Sequence, residues 1–130
     1  MSALTLREAT NRTTAAMRKA AELGVAENIA VVDAGGHLVH FARMDGAWLG
    51  TIDIAIKKAR TAALFERPTA AIGEVSQPGG ELYNVELTNG GLVTFGGGLP
   101  IIADGHVIGA VGVSGGGISE DTAVAEAFLA

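Results

Sequence analysis

Two cationic side chains stand among apolar neighbours in this chain. Arg43 ends a β-rich run that alternates in polarity, so it should share a face with Phe41. Lys58 lies in a helical segment whose neighbours at helical spacing are apolar, which predicts that its stem is covered. Cations placed in this way could hold a carboxylate. Ion pairing of Lys58 with Asp33 or Asp53 is the structural alternative.

Two glycine tracts could complete an anion site. The first follows Phe95 and the second follows Ser114. Successive free backbone N–H groups in such tracts can form a concave nest for an anion, although glycine also serves in tight turns and close packing. A further loop at Gln77 would border the same pocket. The predicted ligand-binding residues are Arg43, Lys58, Gln77, Phe95, Gly96, Gly97 and Ser114.

Histidine is the other residue type here that could bind a metal. His37 and His40 are three residues apart in one predicted strand, so they should face opposite sides of a sheet. His106 follows an Asp-Gly turn, and Tyr83 offers a phenolic oxygen. Surface or turn positions are the structural alternative for all three histidines. Glu81 or Glu86 could act as a general base, but no nucleophile pattern accompanies them.

Periodicity and turn residues predict the elements that must position these side chains. Gly35-Gly36 and Asp104-Gly105 mark two β-hairpins. The hairpins imply an antiparallel sheet and an α+β fold in a single domain, residues 1–130, with an irregular stretch at 81–98. The predicted strands are 28–34, 37–43, 99–103 and 106–114, and the predicted helices are 5–23, 51–66, 69–75 and 119–128.

Composition excludes several classes of protein. The net charge is −5 and no run of Lys or Arg occurs, which argues against a nucleic-acid partner. The chain lacks cysteine, so thiol chemistry is excluded. No apolar stretch reaches 18 residues and no signal core begins the chain, so we expect a cytoplasmic protein without membrane contact. Alanine and glycine make up about a third of the residues. Small-residue helix faces of this kind predict a homo-oligomer with closed symmetry.

Five motifs, in order, resemble the GlcG/HbpS-like haem-binding family, which also occurs as the C-terminal domain of PduO-type cobalamin adenosyltransferases. The motifs are IAVVDAGGHLVHFARMDGAW, IDIAIKKARTAALF, QPGGELY, VTFGGGLPI and VIGAVGVSGG. The resemblance runs from about Leu4 to Ala127. It implies a profilin-like fold with a five-stranded antiparallel sheet flanked by helices, assembly into oligomers, and haem or a corrinoid as ligand. His37, His40 and Tyr83 are then the candidate iron ligands.

Two functions follow from these observations. The first is a small-ligand-binding domain for haem or a related tetrapyrrole, serving as an accessory protein to a sensor or a pathway. The alternative is a small catabolic enzyme, of isomerase, deaminase or hydratase/lyase type, acting on a carboxylate-bearing metabolite. The alternative depends on Arg43, Lys58 and the glycine tracts. Neither interpretation identifies catalytic residues.

Overall fold

A computed structural model describes residues 3–130 of the chain. One turn of 3₁₀ helix, Val85–Leu87, interrupts the long connection between the third helix and the third strand. In chain order the elements are α1 (Leu6–Leu23), β1 (Asn28–Asp33), β2 (Leu38–Arg43), α2 (Gly50–Phe65), α3 (Thr69–Val75), β3 (Gly98–Ala103), β4 (His106–Ser114) and α4 (Ile118–Leu129).

The sheet is built from two hairpins that pair through their inner strands. Its order is β2-β1-β4-β3, and every neighbouring pair is antiparallel. The β1–β4 pairing sets Asn28 opposite Ser114 and Asp33 opposite Gly109. The α+β class is therefore confirmed, and β1 and β4 are the two interior strands.

The five strands expected from the family resemblance are wrong, because the sheet has four strands among residues 3–130. The stretch from 81 to 97 forms the 3₁₀ turn, other turns and irregular backbone instead. Asn84, Asn89, Gly90 and Gly91 there have φ values between +55° and +107°, which no β-strand accommodates. Likeness to profilin-like domains stays a prediction.

Local signals explain where the elements begin and end. The Thr5 side chain accepts a hydrogen bond from the Glu8 N–H at 3.1 Å and caps α1. Gly24 ends that helix in the left-handed region, with φ of 74°. Asp104 and Gly105 both have positive φ, as a type I′ hairpin turn requires.

Helices cover both faces of the sheet. One face packs against α1 and α4 through residues that include Ile29, Val31 and Phe128. The other face packs against α2 through alanines, among them Ala55 and Ala59. Within residues 3–130, no helix is both long enough and apolar enough to cross a membrane.

Candidate functional site

Lys58 lies inside the protein, with none of its surface exposed. Its Nζ donates to the Val113 carbonyl oxygen at 2.7 Å and to Asp121 Oδ2 at 3.1 Å. The ring centroid of Phe95 is 5.1 Å from Nζ, within range of a cation–π contact. The ion pair weighed for Lys58 therefore exists, but its partner is Asp121 and not Asp33 or Asp53.

Glu27 joins Lys58 and Asp121 in a buried cluster that sequence reasoning missed. The backbone N–H of Gly116 donates to both Glu27 Oε1 and Asp121 Oδ1, at 2.9 Å each. Burial, and after it the neighbouring Asp121, raises the pKa of Glu27 to about 8. Burial also lowers the pKa of Lys58, although Asp121 opposes that shift. The one sequence feature that could have indicated a buried Glu27 is its position directly before the apolar strand β1.

Part of the predicted ligand-binding set lies together in a groove of about 330 Å³. The groove runs between α3 and the segment before β3. Gln77 hydrogen-bonds to the Gly73 carbonyl oxygen at 3.0 Å, and the Phe95 ring is 43% exposed. Its lining residues are Ala70, Gly73, Glu74, Gln77, Thr94, Phe95 and Gly96.

The rest of that set lies behind or beside the groove. Gly97 faces Lys58, since a Cβ on this glycine would come within 2.5 Å of Nζ. Ser114 is buried at the end of β4. Arg43 is exposed at the end of β2. It pairs with Asn28 of β1, and Asn28 pairs on its other side with Ser114 of β4. Two strand spacings, about 10 Å, therefore separate the backbones of Arg43 and Ser114.

A larger cavity lies at the opposite end of the sheet, where the two hairpins turn. Its volume is about 400 Å³, within the range of small-molecule sites. Most of its lining is apolar, and Asp33 is the acidic exception. The lining residues are Ala3, Leu4, Asp33, Ala34, Gly35, Val39, Val107 and Ile108.

His37 stands beside this cavity and is oriented by Asp33. Its Nδ1 lies 3.3 Å from Asp33 Oδ1, and its side chain is 83% exposed. The same oxygen accepts the N–H groups of His37 and Gly35, at 2.9 Å each, and these bonds lower the pKa of Asp33. A carboxylate only accepts hydrogen bonds, so in a neutral imidazole the proton belongs on Nδ1. Nε2 is then the ring nitrogen whose lone pair could bind a metal ion.

The other candidate iron ligands are less well placed. His40 is half-buried, with Nδ1 3.4 Å from Thr13 Oγ1. Tyr83 is 55% exposed in the irregular stretch before β3. No group of three or more His, Cys, Asp or Glu side chains is arranged to hold a metal ion between residues 3 and 130.

Fold and geometry together define a small α+β domain with an apolar cavity beside an oriented imidazole. A family model described as "Haem degrading protein HbpS-like" matches residues 4–130. The chain belongs to this HbpS-like family.

Three relatives show what the chain is similar to. It is 44% identical over 127 residues to an uncharacterized 15.0 kDa protein of the dhaT-dhaS intergenic region of Citrobacter freundii, covering 97% of this chain and 89% of that one. It is 37% identical to the corrinoid adenosyltransferase PduO of Salmonella typhimurium, over 98% of this chain but 38% of that protein. It also matches a crystal structure of a PduOC:haem complex with 36% identity and a TM-score of 0.94, covering 98% of this chain and 94% of that one.

Proposed function

We propose that this chain binds haem, or a related tetrapyrrole, in the cavity at the hairpin end of the sheet, with His37 as the iron ligand. The observation that carries the proposal is an exposed imidazole, with Nδ1 in contact with Asp33, beside a cavity lined mainly by apolar side chains. The haem complex of a protein 36% identical to this chain supports the choice of ligand.

The residues at this cavity fit such a ligand. Leu4, Val39 and Ile108 offer apolar surface that would exclude water from a flat macrocycle. Asp33 contacts Nδ1 of the His37 ring, the position at which carboxylates orient metal-bound histidines. Iron porphyrin, when bound, supplies the redox and gas-binding chemistry, while the protein sets access and ligand strength.

The groove beside Phe95 is the second place where a ligand could bind. It gathers Gln77, Phe95 and Gly96 from the predicted set. Contact of an anionic ligand with Lys58 stays a prediction, and it would compete with two hydrogen bonds that Lys58 already makes. The enzymatic alternative depends on that contact and on Arg43. A cytoplasmic location and a role as a sensor or pathway accessory also stay predictions.

Titration of the purified protein with hemin, followed by visible spectroscopy, tests the proposal. We expect a Soret shift that saturates at one haem per chain. His37→Ala removes the proposed iron ligand and should weaken haem binding by at least tenfold. Loss of only the group that supports a metal ligand already costs about tenfold or more in affinity. His106→Ala removes another exposed imidazole and should leave binding unchanged.

Other outcomes would locate the ligand elsewhere or overturn the proposal. If His106→Ala lost haem binding and His37→Ala kept it, the iron ligand would be His106 and not His37. Loss in Phe95→Ala alone would move the ligand to the groove. Absence of a saturable spectral change in the unmodified protein would overturn haem binding itself.

A further inference from the structure

Three ionisable side chains meet inside the protein at a place that the proposed function does not use. Glu27 precedes β1, Lys58 lies in α2, and Asp121 lies in the first turn of α4. Glu27 and Lys58 have no exposed surface, and Asp121 is 2% exposed. The cluster lies at the opposite end of the sheet from the hairpin cavity.

The two carboxyl groups are close together because they share a donor. One oxygen of Glu27 and one of Asp121 each lie 2.9 Å from the Gly116 nitrogen, so both carboxyl groups contact the same backbone N–H. The second oxygen of Glu27 is buried and has no hydrogen-bond partner among residues 3–130. One N–H therefore serves two acids.

Charge counting decides the protonation of this cluster. Two carboxylates and one ammonium would leave a net negative charge in the interior, which is costly. One proton on Glu27 makes the cluster neutral and removes the negative charge from the carboxyl group whose second oxygen has no partner. Glu120 is the other acid at this loop, and its Oε1 accepts the Gly117 N–H at 2.8 Å. Within the described residues, Lys58 is the one cation that contacts the pair.

We propose that Glu27 keeps a proton in the folded protein and forms a latch with Asp121. The latch is closed while that proton is bound, and it holds the loop 115–117 between the start of β1 and the start of α4. Loss of the proton leaves two anions on one N–H. Their repulsion then releases the Gly116 contact and opens the loop at alkaline pH. The latch is independent of haem binding at the other end of the sheet.

The sign of the pH dependence follows from where the proton is bound. The pKa of Glu27 is raised from 4.5 to about 8 in the folded protein. Between these values the folded state holds a proton that the unfolded state has lost, so stability falls as pH rises. A single proton changes the unfolding equilibrium constant by up to tenfold per pH unit. The lowered pKa of Lys58 acts on stability with the opposite sign.

Urea unfolding between pH 5 and pH 8 tests the latch. The unfolding constant of the unmodified protein should rise steadily over this range. Glu27→Gln keeps the shape and donates from its amide, so the rise attributable to this proton should disappear. The matched control Glu120→Gln alters an acid of the same loop outside the pair, and it should keep the rise.

A second measurement holds even where Glu27→Gln fails to fold. Carboxyl ¹³C NMR of the unmodified protein should show one glutamate titrating well above pH 6, with the Gly116 amide resonance moving over the same range. The proposal is overturned when every glutamate carboxyl titrates near its ordinary pH. A Glu27→Gln variant with an unchanged pH dependence would overturn it too.

Discussion

The Lys58 ammonium is kept charged inside the protein by oxygens from two different elements, β4 and α4. Lys58→Met keeps most of the stem but leaves Asp121 buried without its cation. Removing one partner of a buried pair costs about 3–5 kcal/mol. We expect a loss of that size in the free energy of unfolding, measured by urea denaturation at pH 7.

Lys57→Met is the matched control for this change. Lys57 is the neighbouring residue on the same helix, and its ion pair with Asp53, at 3.0 Å, is at the surface. Such pairs are worth less than about 1 kcal/mol. A Lys58→Met variant that is as stable as Lys57→Met, but has lost affinity for an anionic ligand, would make Lys58 a binding residue and not a structural one.

At the scale of elements, α2 approaches β4 closely enough that one glycine decides the packing. A Cβ on Gly112 would overlap the Ala55 carbonyl oxygen and come within 2.5 Å of the Ala59 nitrogen. Backbone atoms of a helix cannot move aside singly, so Gly112→Ala should lower the free energy of unfolding by about 3 kcal/mol or more. Chemical denaturation of purified protein measures the difference.

Gly50→Ala provides the comparison, because it adds the same methyl group at the start of α2 where nothing lies within 4 Å. Its φ is not in the left-handed region, so alanine should be neutral or stabilise by up to about 1 kcal/mol. Equal effects of the two substitutions would show that the close approach of α2 to β4 is not needed for stability.

Elements with local signals were predictable from the sequence, and those set by distant contacts were not. Cap residues and the Asp104-Gly105 turn are read within a few positions, and α1 and the β3–β4 hairpin follow the prediction closely. Strand alternation predicts that Arg43 and Phe41 share a face of the sheet, and it would place Val39 there too. The β1–β2 register has an irregularity, however, and Val39 packs on the face that α1 and α4 cover. The irregular stretch before β3 carries no periodic pattern that would predict its path.

The site was harder to predict because its contacts join residues far apart in the chain. Lys58 was singled out correctly as a cation with a covered stem, yet its partner Asp121 lies 63 positions away. Glu27 meets Gly116 across 89 positions. His37 was named as a metal-binding candidate, but its support by Asp33 depends on the hairpin turn that brings the carboxylate back to the ring.

For the whole molecule, self-association remains the main prediction. Large apolar side chains are widely exposed on the single chain, including Trp48 at 75%, Leu49 at 71% and Leu87 at 80%. Apolar surface of this kind often marks protein contacts. We expect light scattering at micromolar concentration to give a mass that is a multiple of 13.1 kDa.

Fluorescence of the single tryptophan offers an independent check on that assembly. Trp48 in an isolated chain should emit as a solvated indole, whereas burial against a second copy should shift its emission to shorter wavelength. A monomer mass together with solvated emission would contradict assembly through this surface.

The strand order has a consequence for how the chain folds. Each hairpin closes over a short turn, and each can therefore form early. The inner strands β1 and β4 belong to different hairpins, and their pairing joins Asn28 to Ser114 across most of the chain. Closing so long a loop carries an entropic cost before any contact repays it. The docking of the two hairpins is thus the expected rate-limiting step, and substitutions along the β1–β4 seam should slow refolding more than substitutions in either outer strand.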